Sequence, residues 1–184
     1  MRNIFGILTM LIIALLMVGA CETPAENVPT PSEVPIATTP APQHGIGVRR
    51  AEMQATLEED PFGFTFDPPS LVNGPPNVLG YSLEEGQDGV AVLTGPPSNL
   101  SKVVIMTPIT GEYSRIGVLR LGEAAFHATQ QEEQGDGADI WVVEHISLAM
   151  EEGTQNTRYD DICLQMEWFD DLQVMALVIE RCDT

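Results

Sequence analysis

The sequence predicts an α+β domain, with about three helices packed on one face of an antiparallel sheet that is built from hairpins and ends in a C-terminal β-hairpin. Segments with helical spacing alternate with short apolar or alternating runs, as in domains of this class. Clusters of glycine, proline and polar residues separate neighbouring strands, which indicates hairpin turns. The hydrophobic content of 43% supports a packed core rather than a disordered chain.

Helical spacing predicts three helices. The first covers residues 47–59 and ends at Asp60-Pro61, because a residue before proline is pushed out of the α region. Its core-facing residues are Ile46, Arg50, Met53 and Leu57. The second helix covers residues 113–130, and its predicted inward residues are Val118, Leu119, Gly122, Ala125 and Phe126. The third covers residues 139–152, and its predicted inward residues are Val142, Val143, Ile146, Ala149 and Met150.

Four segments before the second helix are predicted as strands. They are residues 62–66, 77–82, 89–94 and 102–107. Residues 95–101 are dense in turn residues and predict a hairpin between the last two strands. In the first strand, Phe62, Phe64 and Phe66 alternate with other residues and share one side. We expect these rings in the core, and an apolar ligand groove is the alternative.

The C-terminal hairpin is predicted from two alternating runs, residues 158–169 and 174–182. Its apolar face consists of Ile162, Leu164, Met166, Trp168, Met175, Leu177 and Ile179. Cys163 and Cys182 lie on the opposite face, and we predict a disulfide between them. The bond needs partner numbers that sum to about 345, and hence a loop of about four residues around 171–174. With a two-residue loop the Cys182 α-carbon would lie roughly 13 Å too far along the strand, so two separate thiols are the alternative.

The first twenty-one residues have the features of a secretion signal. Arg2 precedes Ile4–Val18, a run without a charge that is short for a bilayer span of ~20 apolar residues. The run closes with Val18-Gly19-Ala20-Cys21, which resembles the lipobox of bacterial lipoprotein precursors. The resemblance implies that residues 1–20 leave as a signal peptide and that Cys21 becomes a first residue carrying fatty acyl chains such as palmitate. A membrane-spanning anchor that is never cut is the alternative.

Residues 21–45 are predicted to tether the domain to the membrane. From residue 22 to 45 there are six prolines and no Phe, Trp or Tyr, so this segment cannot bury enough apolar surface to offset its ordering entropy. Proline density favours polyproline II at ~3.1 Å per residue, which gives a reach on the order of 70 Å. A PxxP-type ligand is the alternative. Residues 46–184 are then the single α+β domain.

The chain is strongly acidic, with 27 acidic and 8 basic residues and a formal net charge of −19. This balance argues against nucleic-acid binding, which needs clustered Lys and Arg, and Lys102 is the only lysine. Most of the charge belongs to the domain, because residues 46–184 hold 24 acidic and 7 basic residues. A cationic partner would complement this charge, and solubility is the alternative reason for it.

No catalytic residue, metal site or cofactor is predicted. The histidines are His44, His127 and His145; the last two are expected as exposed or half-buried residues of separate helices, and an approach between them is the alternative. Adjacent acids at 58–60, 84–85, 132–133, 160–161 and 170–171 lack the spacing of a calcium loop, and we expect them at turns and helix ends. No GxSxG, SxxK, GxGxxG or P-loop motif occurs.

These patterns predict a binding or interaction module of the cell envelope, anchored through Cys21 on the extracytoplasmic side of a bacterial membrane, inner or outer. Its expected partner is an envelope protein or a cationic ligand. An envelope hydrolase that uses scattered Asp, Glu or His residues is one alternative, and a small apolar-ligand carrier is another. Carboxylates converging in a pocket would favour the hydrolase, whereas an exposed apolar patch would favour the interaction module.

Overall fold

Three helices and seven strands are present in the described part of the chain, which in this computed structural model comprises residues 45–70, 76–83, 88–110, 114–129 and 137–182. The helices are α1 (Arg50–Glu58), α2 (Ser114–Thr129) and α3 (Ala138–Glu152). The strands are β1 (Thr65–Phe66), β2 (Asn77–Ser82), β3 (Gly89–Thr94), β4 (Lys102–Pro108), β5 (Thr154–Tyr159), β6 (Ile162–Phe169) and β7 (Val174–Arg181). The features predicted for Cys21, His44, the tether and the acids at 84–85 and 132–133 lie outside the described residues.

All seven strands form one antiparallel sheet, in the order β1-β2-β3-β4-β7-β6-β5. The first four strands pair with their neighbours in sequence, and the last three do the same. The two halves are joined by the β4–β7 ladder, which runs from Lys102 opposite Glu180 to Pro108 opposite Val174. The arrangement confirms the predicted α+β class, the antiparallel sheet and the C-terminal hairpin.

The helices pack on one face of the sheet, because the inward residues of the helices and alternate residues of each strand form one hydrophobic cluster. Met53 and Leu57 of α1 belong to this cluster, as do Val142 and Ile146 of α3. The strand members include Ala91, Leu93, Val103, Ile105, Leu164, Met166, Met175, Leu177 and Ile179. The apolar face predicted for the C-terminal hairpin is therefore correct, with Leu164 opposite Ile179.

Helix α1 is positioned by its buried face and by the loop between β3 and β4. The four residues predicted to face the core, from Ile46 to Leu57, are all buried. The buried Arg50 guanidinium donates from Nη2 to the carbonyl oxygens of Gly95 and Pro76. The Ile46 N–H donates to the Leu100 carbonyl oxygen at 2.7 Å. A basic residue inside an apolar face thus donates to loop carbonyls and holds the loop against α1.

The edge strand β5 was not predicted. The segment Thr154–Tyr159 carries mostly polar side chains with alternating exposure, as a strand does when only one of its faces packs on the core. The predicted strand 158–169 is in fact interrupted by a tight turn, in which Asp160 has a φ of 52°. Polar composition at a sheet edge removes the period-two apolar signal, so the sequence pattern began only at β6. The first strand is also shorter than predicted, with two residues.

Candidate functional site

The outer surface of the helix layer carries an exposed apolar patch. The described chain has six exposed large apolar side chains, and five of them lie on α2 and α3. We name these five the outer patch; they are Leu119 (44% exposed), Ile140 (40%), Val143 (59%), Leu148 (38%) and Met150 (40%). Outward positions of a surface helix are usually polar, so this concentration points to a surface that meets another molecule.

Three members of the outer patch were predicted to face the core, and that prediction is wrong. Leu119, Val143 and Met150 are exposed. The core side of α3 is formed instead by Ala138, Trp141, Val142, Ile146 and Ala149. Apolar residues occur around the whole circumference of α3, so spacing alone did not decide which of them face inward. This excess of apolar residues is the one sequence signal that pointed to the patch.

The outer patch extends over the seam between α2 and α3. A β-carbon at Gly117 of α2 would lie 2.7 Å from Ile109, just after β4, while α3 ends immediately before β5 at the same end of the sheet. The two helices are therefore antiparallel. They approach each other closely at Gly122, where a β-carbon would lie 3.6 Å from Cβ of Asp139. Leu119 lies one turn before Gly122 and Val143 one turn after Asp139, which places these two side chains level across the seam.

Acidic side chains lie along one edge of the row that Ile140, Val143 and Met150 form on α3, and Leu148 lies on the other side of these acids. Glu144 and Glu151 are exposed and lie seven residues apart, two helical turns along the same side. The segment Ala138–Glu152 contains no Lys or Arg, and the ring of its one histidine already contacts another residue of the helix. The His145 ring stacks on Trp141 with centroids 5.0 Å apart, and its Nδ1 lies 2.9 Å from the Trp141 carbonyl oxygen. The outer surface of α3 thus carries an apolar row with an acidic edge.

A second surface feature lies around the predicted disulfide. The structure pairs Cys163 with Cys182, with α-carbons 5.0 Å apart. The loop has four residues, as predicted, but it spans 170–173, and the strand partners place Cys163 opposite Glu180 rather than opposite Cys182. The two cysteines therefore bond diagonally, and the Cys182 N–H donates to the Asp161 carbonyl oxygen at 2.8 Å. The predicted register is two residues off, because the two cysteines bond diagonally across the strands and are not directly opposite partners.

A shallow groove of about 230 Å³ runs beside this disulfide. Its polar lining includes Asn156, Gln165, Glu180 and Arg181. The charged groups here are already paired, since Lys102 Nζ lies 2.9 Å from Glu180 and Arg181 lies 2.6 Å from Asp161. Both pairs are partly exposed to solvent and contribute little stability. The groove can donate and accept hydrogen bonds, but it does not converge acids or bases on one point.

The residues that could bind a metal or act in catalysis are dispersed over the described part of the chain. No group of three or more His, Cys, Asp or Glu residues gathers there as a metal site would require. His127 lies five residues beyond Gly122 on α2, and His145 lies six residues beyond Asp139 on the antiparallel α3. The two histidines therefore lie in opposite directions from the contact between Gly122 and Asp139, and they are separated by about 16 Å along the helix axes. The phenylalanine stripe belongs to the core, with Phe62 and Phe64 buried and Phe66 packed against them.

A buried arginine was not predicted at all. Arg120 on α2 is fully buried, and its Nη2 donates to the Phe62 carbonyl oxygen and, at 2.8 Å, to Oγ of Ser82. The guanidinium also lies 4.9 Å from the centre of the Phe64 ring. These contacts tie α2 to the segment before β1 and to the end of β2. The role of Arg120 is to hold the helix layer in position behind the outer patch.

Comparison with protein-family models, with curated proteins and with solved structures finds no match for this chain. The described helices are each too short or too polar to cross a membrane. The outer patch is accordingly the strongest candidate functional site among the described residues, because it joins unusual apolar exposure with a defined acidic border.

Proposed function

We propose that this chain is a lipid-anchored interaction module on the extracytoplasmic side of a bacterial membrane, and that its outer patch docks a partner protein. The observation that carries the proposal is the exposure of five large apolar side chains on one helix layer. Exposed apolar surface costs free energy in water, and a partner that covers it recovers that free energy. A rigid helix pair over a packed sheet is a suitable platform for such docking.

The proposed location rests on the N-terminal pattern and on the cysteines. The uncharged run that ends in Val18-Gly19-Ala20-Cys21 supports export and lipidation, and the proline-rich segment after it supports a spacer. The Cys163–Cys182 pair suits an oxidising compartment, where disulfides persist. The inner and outer membrane remain alternatives for the anchor.

Replacing Cys21 with serine is expected to abolish lipidation. Cells that express the full chain are labelled with radioactive palmitate, and incorporation into the immunoprecipitated protein is measured. We expect strong labelling of the wild type and none of Cys21→Ser, because the lipobox cysteine supplies the acylated thiol. The variant Cys163→Ala/Cys182→Ala is the matched control and should label like the wild type. Equal labelling of Cys21→Ser would contradict the lipid anchor.

Docking through the outer patch is tested by site-specific photocrosslinking in intact membranes of the source organism. A photoreactive phenylalanine derivative replaces Val143, and in a control protein it replaces the exposed Ala51 of α1. We expect a discrete crosslinked species from position 143 and none from position 51. Adding Ile140→Ser and Met150→Ser should remove that species, since apolar contacts hold the partner in place. A crosslink that persists in this variant, or that forms equally at both positions, would refute the proposed docking surface.

A further inference from the structure

Three members of the outer patch form a stripe along α3 that has the length of a docking helix. Ile140, Val143 and Met150 follow the helical repeat, with Ser147 between the last two. Ile140 and Met150 are ten residue steps apart, which corresponds to about 15 Å or nearly three turns. Leu119 of α2 lies across the seam from Val143, so the surface is two helices wide. A third helix laid over such a seam would bury apolar residues at positions i, i+3 or i+4, and i+7.

The acidic charge around the stripe indicates which kind of helix would bind there. Glu144 and Glu151 border the stripe at heptad spacing, α3 has no Lys or Arg, and Arg115, one turn before Leu119, is the one exposed basic side chain in the described part of α2. The domain around them holds 24 acidic and 7 basic residues, so its field attracts cations over a longer range. We infer that the partner segment is a basic amphipathic helix, with an apolar face about three turns long and Lys or Arg residues flanking it. This inference rests on the proposed function of the outer patch.

The same charges disfavour two other occupants. A second copy of the chain in a twofold contact would bring the two acidic edges, each formed by Glu144 and Glu151, close together, and like charges repel. An anionic membrane surface would repel this acidic border as well. A basic helix instead places a cation beside each of the two glutamates. Because these pairs lie at the rim, they set specificity and association rate more than affinity, which comes from the apolar stripe.

The inference is tested with defined peptides and the full chain in nanodiscs of zwitterionic phosphatidylcholine. The probe is a fluorescent helix about four turns long, with leucines at the anchor positions and lysines on the flanks. A second peptide has glutamates in place of the lysines, and a third has the same composition as the first in scrambled order. Fluorescence anisotropy should show at least tenfold tighter binding of the lysine peptide than of the other two. Equal affinity of the lysine and glutamate peptides, or no binding of either, would overturn the inference.

Two pairs of variants separate the apolar and the charged contributions. Val143→Ser/Met150→Ser should weaken the lysine peptide at least tenfold, whereas Leu83→Ser, at a similar exposure of 46%, should leave its affinity unchanged. Glu144→Gln/Glu151→Gln should weaken it about fivefold and flatten its salt dependence, whereas Glu58→Gln/Glu59→Gln on α1 should not. Unchanged affinity of either patch variant would place the peptide elsewhere and refute this mode of binding.

The crosslinking experiment tests the docking surface, and the peptide experiment tests the basic helix as its occupant, so either can give a negative result without the other. A crosslink at position 143 together with no preference for the lysine peptide would leave docking through the outer patch standing and reject the basic helix. Absence of both would reject the docking surface itself. Analytical ultracentrifugation of the full chain in the same nanodiscs identifies a second copy as the occupant if association depends on Val143.

Discussion

Replacing Arg120 with methionine is expected to lower the free energy of unfolding by about 4 kcal/mol. The side chain is fully buried and donates to the Phe62 carbonyl oxygen and to Ser82 Oγ. Methionine fills a similar volume but donates no hydrogen bond, so both acceptors would stay buried and unsatisfied. The attraction between the guanidinium and the Phe64 ring would be lost as well. Urea-induced unfolding followed by tryptophan fluorescence measures the change.

Two control variants make this result specific. Arg49→Met removes a basic residue whose side chain is 70% exposed and pairs with Glu52 at 3.7 Å, and it should cost less than about 0.5 kcal/mol. Arg120→Lys retains the charge but cannot reproduce the planar arrangement of donors, so it should lie between the wild type and Arg120→Met. A loss below about 1 kcal/mol for Arg120→Met would show that the buried contacts contribute little net stability.

Removing the disulfide is expected to lower the free energy of unfolding by about 3 kcal/mol. The bond joins Cys163 and Cys182, which are 19 residues apart, and therefore restricts the unfolded chain. It also fastens the end of β7 to β6 beyond the last strand pair. Urea unfolding of Cys163→Ala/Cys182→Ala, compared with the wild type in oxidising buffer, measures this contribution.

Reductant provides the internal control for the disulfide. Dithiothreitol should destabilise the wild type by nearly the same amount and should leave Cys163→Ala/Cys182→Ala unaffected. If the alanine variant is as stable as the oxidised wild type, the bond does not constrain the unfolded state as proposed. If the variant itself responds to dithiothreitol, the effect of the reductant does not come from this bond.

Periodicity predicted the parts of the fold in which one face is apolar and the other polar. Strand β6 is such a case, because polar residues alternate with the row from Ile162 to Met166 and only one register buries that row. Helix α1 is another, with its buried residues spaced at one turn. The edge strand β5 lacks this contrast, and its pairing follows from the tight turn at Asp160 rather than from an apolar pattern.

The candidate site could not be predicted, because it depends on which side of α3 meets the core, and apolar residues lie on several sides of this helix. On α3, Val142 and Val143 are neighbours of the same type, yet Val142 is buried and Val143 is the most exposed member of the outer patch. The choice is made by the docking of α3 against α2 at Gly122 and against the sheet. These contacts lie far apart in sequence, so no local pattern encodes them.

The position of β7 has a consequence for the chain while it is being made. β7 lies between β4 and β6 in the sheet but follows both in sequence. Lys102 in β4 therefore pairs with Glu180, a residue that is synthesised much later. Until β7 has been synthesised, the apolar strand β4 keeps an open edge, and distant pairing is slow because loop closure costs entropy. Open apolar edges recruit strands from other chains. A nascent chain that lacks β7 therefore has no ladder to join its two half-sheets, and its open β4 edge can pair with other chains.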